Sequence, residues 1–321
     1  MQGRGSMKNS KKCFLTATAA ILIGMHAYNK FVETTATRKK MLSEEKGSFF
    51  DWKQGYIYYT KTGAGNPLLL VHDINSASSS EEWSKIIKRL SKNNTVYALD
   101  LLGCGRSEKP ALKYTNYLYV QLITTFIKNV IKEPADVVAT NLSSSVILMA
   151  NAIDENLFKK IIFINPVSVK EMSKIPDTTG KIKQTIMNMP LVGTFAYNLS
   201  MTPLKIDFRF RNKYYGKQDL ITTKIEDTYY EAAHYDKSNG RFLQSSLISN
   251  YVNINIKNAL KNTKKTIYII ESGKNKENVK TLEAYHSINS NIQTINLPGG
   301  GLYPQLELPE KTASIIKSII K

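Results

Sequence analysis

The chain has 321 residues and a formal net charge of +18 at pH 7, with 42% hydrophobic and 22% charged residues. A chain of this length buries a full core, and this composition is typical of a globular protein rather than a disordered one. Two cysteines, Cys13 and Cys104, exclude a disulfide framework. Four scattered histidines without a neighbouring ligand cluster argue against a metal site, so we expect no metal.

The positive charge comes mainly from lysines that are spread over the whole chain. No basic stripe and no known module favours nucleic-acid binding, so no nucleic-acid partner is expected. Attraction to an anionic membrane surface is favoured, since each basic residue near such a surface contributes about 1 kcal/mol.

The N-terminus predicts a membrane segment. A basic segment over residues 1–12 precedes an apolar run over 13–29, and no charge lies between Lys12 and Lys30. This uncharged stretch is at the short end of what spans a bilayer as a helix. We expect a single membrane anchor that places the protein in the cell envelope, with its orientation open. The alternatives are a cleaved signal peptide and a membrane-associated helix.

Residues 30–47 are polar and charged and predict a linker, and from Ser48 the pattern is that of a folded domain. Short apolar runs then predict strands at 56–60, 68–72, 96–100, 136–140, 160–165, 266–270 and 292–297. Helical patterns lie between them, at 80–91, 114–131, 144–153 and 276–288, and again from Glu310. This alternation predicts an α/β fold with a mostly parallel sheet that is covered on both faces.

Residues 168–262 interrupt the alternation and predict a helical cap. The segment is rich in paired aromatic residues, such as Tyr214-Tyr215 and Tyr229-Tyr230. These aromatic residues either pack the core of the cap or line an apolar ligand pocket beneath it.

Four segments of the predicted domain resemble the α/β-hydrolase family, and the likeness runs over about 48–321. The most specific segment is Asp100-Leu-Leu-Gly-Cys-Gly-Arg-Ser107, which resembles the family's Asp-x-x-Gly-x-Gly-x-Ser turn. The others are Leu69-Leu-Val-His72, the Asn141-Leu-Ser-Ser-Ser145 stretch and Gly301-Leu-Tyr-Pro-Gln-Leu-Glu-Leu-Pro-Glu310. The resemblance implies a cap-containing serine hydrolase of the esterase or lipase type, without a cofactor.

The resemblance implies a serine nucleophile on the turn between a strand and a helix, activated by a histidine that an acid orients. Ser143 is the candidate nucleophile, although Asn141 and Ser145 replace the glycines that flank the family's serine. The backbone N–H groups of Ile74 and Ser144 are the candidate oxyanion hole. A carboxylate, Asp73, replaces the glycine of the family's oxyanion strand.

The resemblance fails at the other two members of the triad. Leu302 stands where the family has its histidine, and Lys276 stands where it has its acid. We therefore consider His234, in the cap, as a substitute base and Glu271 or Glu277 as substitute acids. The triad is therefore predicted to be degenerate. Loss of the base alone costs on the order of 10⁶ in turnover in a serine protease, so a chain with Leu302 is expected to be nearly inactive by the usual mechanism.

Asp100, Gly103 and Gly105 are predicted to form a structural turn rather than a catalytic group. Gly103-x-Gly105 lacks the third glycine of a dinucleotide site, because Glu108 stands there.

Three functions remain open from the sequence. The first is a membrane-attached serine hydrolase that uses Ser143 on an apolar or ester small molecule. The second is a non-catalytic protein that binds such a ligand under the cap. The third is an interaction protein at the envelope, and the oligomeric state is open in all three.

Overall fold

The computed structural model describes residues 3–42, 47–273 and 276–321. Eight strands form one sheet in the order β1-β2-β4-β3-β5-β6-β7-β8. The strands are β1 (Ser48–Trp52), β2 (Gly55–Thr62), β3 (Asn66–Val71), β4 (Asn94–Leu99), β5 (Ala135–Thr140), β6 (Phe158–Ile164), β7 (Ile267–Ser272) and β8 (Ile292–Leu297). Strands β1 and β2 pair antiparallel, whereas β3 to β8 run parallel.

Fourteen α-helices lie in the described part of the chain. They are α1 (Gly3–Thr35), α2 (Ile87–Leu90), α3 (Asn116–Phe126), α4 (Ser143–Ile153), α5 (Val169–Met172), α6 (Thr178–Asn188), α7 (Val192–Ser200), α8 (Pro203–Arg209), α9 (Thr223–His234), α10 (Arg241–Ile248), α11 (Lys257–Asn262), α12 (Lys276–Ile288), α13 (Pro304–Glu307) and α14 (Pro309–Ile320). Seven of them, α5 to α11, lie between β6 and β7, where the sequence predicts the cap.

The predicted mostly parallel sheet is confirmed. The central strands are apolar on both faces, as strands covered by helices on both sides are: every residue of β5 is buried, and so are Leu68 to Val71 of β3. One hydrophobic cluster packs α3 and α4 on one face, and a second packs α14 on the other. The edge strand β1 is absent from the sequence prediction.

The paired aromatic residues of the cap fill its interior rather than line a pocket. Phe210, Tyr214 and Tyr229 are at most 4% exposed and pack around Tyr303 from the loop before α13. The ring centroids of Tyr214 and Tyr303 are 4.7 Å apart. Of the two alternatives, the structure shows core packing for these rings.

The predicted membrane-spanning helix is wrong. Residues 13–29 lie within α1, but no helix in the ranges described is both long enough and apolar enough to cross a bilayer. The physical reason is composition, since Thr16, Thr18, His26 and Asn29 interrupt the apolar run.

The predicted linker also differs from the structure. Residues 30–35 continue α1, and Val32, Ala36 and Leu42 are buried. The second half of α1 packs on the cap, where Asn29 Nδ2 donates to the Leu191 carbonyl oxygen at 3.1 Å. Residues 43–46 of the predicted linker, and residues 1–2 of the basic segment, lie outside the described residues.

Candidate functional site

The sharp turn that follows β5 is the centre of the candidate site. Asn141 is the first residue after this strand, and its φ of 45° lies in the left-handed region that non-glycine residues rarely adopt. Its N–H donates to the Ile164 carbonyl oxygen at 3.0 Å, which ties the turn to β6. Helix α4 begins two residues later. A strand, one left-handed residue and a helix form the strained turn that carries a nucleophile in this fold.

Ser143 does not lie on this turn, contrary to the expectation from the sequence. It is the first residue of α4, it is 0% exposed, and its Oγ donates to the carbonyl oxygens of Thr140 (2.7 Å) and Val71 (3.2 Å). The residue with the left-handed φ is Asn141, two residues before the predicted nucleophile. A left-handed φ at Asn141 is the structural feature that identifies the turn residue.

The carboxylate of Asp73 lies directly against the turn and is 4% exposed. Asn141 Nδ2 donates to both carboxylate oxygens at 3.2 Å, and the Leu142 N–H donates to Oδ1 at 3.1 Å. The Tyr303 hydroxyl donates to Oδ2 at 2.8 Å. Three donors from two segments of the chain, the turn after β5 and the loop before α13, therefore converge on one buried carboxylate.

The predicted oxyanion donors are placed differently as well. The N–H that follows the turn residue belongs to Leu142, and it is already bonded to Asp73. The Ser144 N–H donates to the Asn141 carbonyl oxygen at 3.1 Å, inside the first turn of α4. Ile74 is 2% exposed and packs in the larger hydrophobic cluster.

A second buried carboxyl group, Glu82, lies behind Asp73. Glu82 Oε2 accepts the Asp73 N–H at 3.2 Å, and Oε1 accepts from Gln305 Nε2 at 2.8 Å. Burial, and then the negative charge of Asp73, raise the pKa of Glu82 to about 8. Glu82 is therefore mostly protonated at pH 7, which allows two carboxyl groups to share this small volume.

Leu302 and Asn141 line the same cleft. The loop that carries Leu302 is held by Glu307, whose Oε2 accepts the N–H groups of Gly301 (2.6 Å) and Gly216 (3.1 Å). The carbonyl oxygen of Leu302 accepts from Asn165 Nδ2 at 2.9 Å. The loop is thus fixed in place, and it presents an aliphatic side chain where the family resemblance requires a base.

The structure does not bring His234 to Ser143. His234 lies at the end of α9, is 2% exposed, and its Nδ1 lies 2.8 Å from the Tyr230 carbonyl oxygen. Its ring contacts are with Tyr197 and Tyr230 of the cap. Burial lowers the pKa of His234 to about 4, so the ring is neutral at pH 7.

The two candidate acids lie at the carboxyl end of β7. Glu271 lies in β7, beside a small crevice that Asn278 also lines. Glu277 is exposed in the first turn of α12 and lines the larger cleft. The side chain of Lys276 lies outside the part of the chain that is described.

The turn that follows β4 is built around the carboxylate of Asp100. Asp100 is 0% exposed, and it accepts the N–H of Ser80 and the N–H and Nε–H of Arg106 at 2.7 to 2.8 Å. Burial alone raises the pKa of Asp100, but the Arg106 guanidinium outweighs it and lowers the pKa to about 2. Gly103 and Gly105 have φ values of +84° and +48°, and a Cβ on Gly105 would lie 2.3 Å from Asp100 Oδ2.

A cleft of about 780 Å³ opens above Asn141, between the cap and the carboxyl edge of the sheet. Its polar lining comes mainly from amides and hydroxyls: Asn141, Asn165, Asn212, Asn250, Asn253, Asn278, Ser168, Ser272 and Thr281. Its apolar lining is aliphatic: Leu142, Pro166, Val167, Met172, Leu247 and Leu302. A volume of this size is that of a small-molecule site.

Residues 68–315 match the model of the alpha/beta hydrolase family. Among curated proteins, the chain is 34% identical over 71 residues to 2-hydroxy-6-oxo-6-(2'-aminophenyl)hexa-2,4-dienoic acid hydrolase of Metapseudomonas resinovorans. It is 36% identical over 59 residues to a haloalkane dehalogenase of Agrobacterium fabrum. These matches cover 22% and 18% of this chain, and only 24% and 19% of the two relatives.

Solved structures resemble the chain over a much larger part of its length. A meta-cleavage product hydrolase from Pseudomonas fluorescens has a TM-score of 0.69 and 15% identity, over 87% of this chain and 98% of that one. A bacterial membrane phospholipase A has a TM-score of 0.68 and 14% identity, over 99% of this chain and 98% of that one. At these identities the likeness concerns the fold alone.

Proposed function

The chain belongs to the alpha/beta hydrolase family, and from this premise we propose that it is a non-hydrolytic member that binds a small molecule in the cleft above Asn141. One observation carries the proposal. The N–H of Leu142, which follows the turn residue, is occupied by the carboxylate of Asp73 at 3.1 Å. In a hydrolase of this fold, that N–H stabilises the developing oxyanion. A fixed negative charge at this position repels such an oxyanion.

The residues at the positions of the nucleophile and the base support the same proposal. At the position of the nucleophile, the turn carries Asn141, whose amide is neither a nucleophile nor a general base. At the position of the base, Leu302 cannot accept a proton. Ser143 cannot substitute, because its Oγ is buried and bonded to two carbonyl oxygens. A general base acts within about 2.6–3.2 Å or through one water molecule, and His234 packs in the cap instead.

The mixed lining of the cleft supports an amphipathic ligand. An ester or another carbonyl compound would place its polar end among the asparagine side chains and its apolar end against Val167, Met172 and Leu247. Such an ester would bind and leave unhydrolysed.

The test combines reactivity with binding on the full chain. The wild type and Ser143→Ala are treated with a fluorophosphonate probe and, separately, with short-chain p-nitrophenyl esters. We expect no labelling, no p-nitrophenol release above the buffer rate, and an ester-dependent rise in Tm, since a ligand that binds only the folded state stabilises it. Labelling of the wild type that disappears in Ser143→Ala would overturn the proposal and restore the serine-hydrolase interpretation.

We also propose that α1 attaches the protein to a membrane surface. Every residue from Lys12 to Gly24 is exposed, and none between Lys12 and Lys30 is charged. Phe14, Leu15 and Ile23 are 72%, 65% and 68% exposed. Exposed apolar side chains can enter the headgroup boundary of a bilayer, and Lys12 and Lys30 at the two ends of the segment are attracted to anionic lipids. Flotation with lipid vesicles tests this, and Ile21→Ser/Leu22→Ser is expected to weaken the binding.

A further inference from the structure

The cap carries a helix face that nothing in the described chain covers. On α6, Ile182 and Ile186 are 56% and 44% exposed, and Met189 directly after the helix is 43% exposed. Their spacing of four and three residues places them on one face. The opposite face of α6 packs on α10, where Ser249 Oγ donates to the Gly180 carbonyl oxygen at 2.8 Å. The helix therefore turns a packed face inward and an apolar face outward.

A second apolar group lies on α8. Leu204 and Phe208, four residues apart on this helix, are 82% and 62% exposed. Phe208 is close to the cleft, because its carbonyl oxygen accepts from Asn212 Nδ2, and Asn212 lines the cleft. We call Ile182, Ile186, Met189, Leu204 and Phe208 together the apolar cap face.

Helix α7 connects the apolar cap face to α1. Gly193 of α7 lies so close to the end of α6 that a Cβ there would be 2.1 Å from the Met187 carbonyl oxygen. The ring of Phe195 on α7 packs edge-on against Tyr28 of α1, with centroids 5.4 Å apart. At the other end of α7, the Ser200 carbonyl oxygen accepts from Arg209 of α8 at 3.1 Å. Helices α1, α6 and α8 are thus neighbours around one helix.

The stripe of α1 that docks on the cap continues beyond it. Met25, Tyr28, Asn29 and Val32 are half-buried or buried against the cap. One to three turns earlier, the same face carries Leu22, Ile21, Thr18, Leu15 and Phe14, all of them exposed. The uncovered part of the stripe is therefore continuous with a part that is already docked.

Basic residues border each apolar group. Lys181 and Lys183 flank Ile182, and Lys205 follows Leu204. No carboxylate in the described part of the chain lies within salt-bridge distance of these three lysines, unlike Lys174, which pairs with Glu171 at 2.6 Å. Separate apolar side chains with unpaired cations between them are suited to an anionic lipid surface. The apolar side chains enter the bilayer below the headgroups, and the cations bind the headgroups.

We propose that the apolar cap face and the exposed part of α1 form one docking surface for an anionic lipid bilayer. This inference rests on the proposed attachment of α1 and goes beyond it, because it makes the cap itself a lipid-binding element. The bilayer would then lie beside the rim of the cleft at Asn212, so that an amphipathic ligand reaches the cleft from the lipid surface.

Vesicle flotation of the full chain tests the proposal, with phosphatidylcholine vesicles that contain or lack phosphatidylglycerol. The cap variant is Ile182→Ser/Ile186→Ser/Leu204→Ser/Phe208→Ser. The matched control is Ile153→Ser, which removes an apolar side chain that is 54% exposed at the end of α4. All substituted positions are exposed, and far-UV circular dichroism and Tm confirm that each variant folds.

We expect at least a threefold fall in the fraction of the cap variant bound to anionic vesicles, with the control unchanged. Lys181→Glu/Lys183→Glu is expected to lower binding to the anionic vesicles only. Wild-type binding by the cap variant, with loss of binding by Ile21→Ser/Leu22→Ser, would overturn cap docking and leave the attachment of α1 standing. Failure of the wild type to bind any vesicle would overturn both.

Discussion

Replacement of Asp73 by glycine tests the proposed site most directly. Glycine is the residue that the family resemblance leads us to expect there, and Asp73→Gly removes the acceptor for three donors. These donors are the Leu142 N–H at 3.1 Å, the Asn141 amide at 3.2 Å and the Tyr303 hydroxyl at 2.8 Å. All three then face a small vacated space that is closed by the buried Tyr303.

The loss of stability follows from these contacts. Each hydrogen bond to a charged group contributes about 1.5–3 kcal/mol. Release of a buried negative charge next to Glu82 offsets part of this loss, and entry of water satisfies some of the donors. We therefore expect the free energy of unfolding to fall by about 2–4 kcal/mol in Asp73→Gly. For a chain of this size, whose entropy of unfolding is about 0.7 kcal/mol/K, that corresponds to a Tm lowered by about 3–6 °C.

A small carboxylate should restore part of the loss, because the three donors form an anion-binding site once Asp73 is gone. The assay is thermal unfolding of the wild type and Asp73→Gly in sodium formate or acetate, with sodium chloride at equal ionic strength as the control. Saturation at 100 times Kd adds about 2.7 kcal/mol to the variant and nothing to the wild type. An equal response of both proteins to acetate, or an unchanged Tm in Asp73→Gly, would refute the role given to Asp73.

Three further predictions concern buried titratable groups. In the folded protein the pKa of Glu82 is raised to about 8. Its contribution to folding stability is therefore complete below about pH 4.5 and is lost as the pH rises through 8, by at most about 4 kcal/mol. Glu82→Gln should abolish this loss of stability in denaturant titrations at pH 5 and 8.5. The pKa of His234 is lowered to about 4, so its contribution to folding stability is lost as the pH falls from 6.5 to 4. In His234→Gln, the free energy of unfolding should fall by about 3 kcal/mol less over this pH range than in the wild type. The same fall in both proteins would contradict the burial argument. Arg106→Ala leaves Asp100 buried without its cation and should lower the free energy of unfolding by about 3–5 kcal/mol, measured in urea at pH 7. The control Arg211→Ala removes the exposed ion pair with Asp207 and should lower it by less than about 1 kcal/mol.

The parallel strands and the cap could be predicted from the sequence because their signals are local. A strand buried on both faces is a run of apolar residues, as in Leu68 to Val71, and it needs no knowledge of its partners. Strand β1 has no such signal. It pairs only with β2, at the edge of the sheet, and four of its five residues are exposed or half-buried.

The centre of the site could not be predicted, because it depends on one backbone dihedral angle and on contacts between distant segments. The motif spacing alone favoured Ser143, because a serine is the expected residue. The flanking glycines are absent whether the turn residue is placed at 141 or at 143. The positive φ of Asn141 decides the register, and it appears only when β5, α4 and β6 are in place. A signal was nevertheless present, because a carboxylate at Asp73, where glycine is expected, needs donors, and the amide of Asn141 supplies two of its contacts.

The contact between Glu231 and the segment after α1 changes where the folding unit begins. The Glu231 carboxylate is 2% exposed, and its two oxygens accept the N–H groups of Met41 (2.9 Å) and Leu42 (3.0 Å). A chain shortened to start at Gly47 would keep every strand, yet it would leave this carboxylate buried in α9 without either donor. The N-terminal helix and the segment that follows it are therefore part of the packing of the cap. Their removal would destabilise the interior of the cap itself.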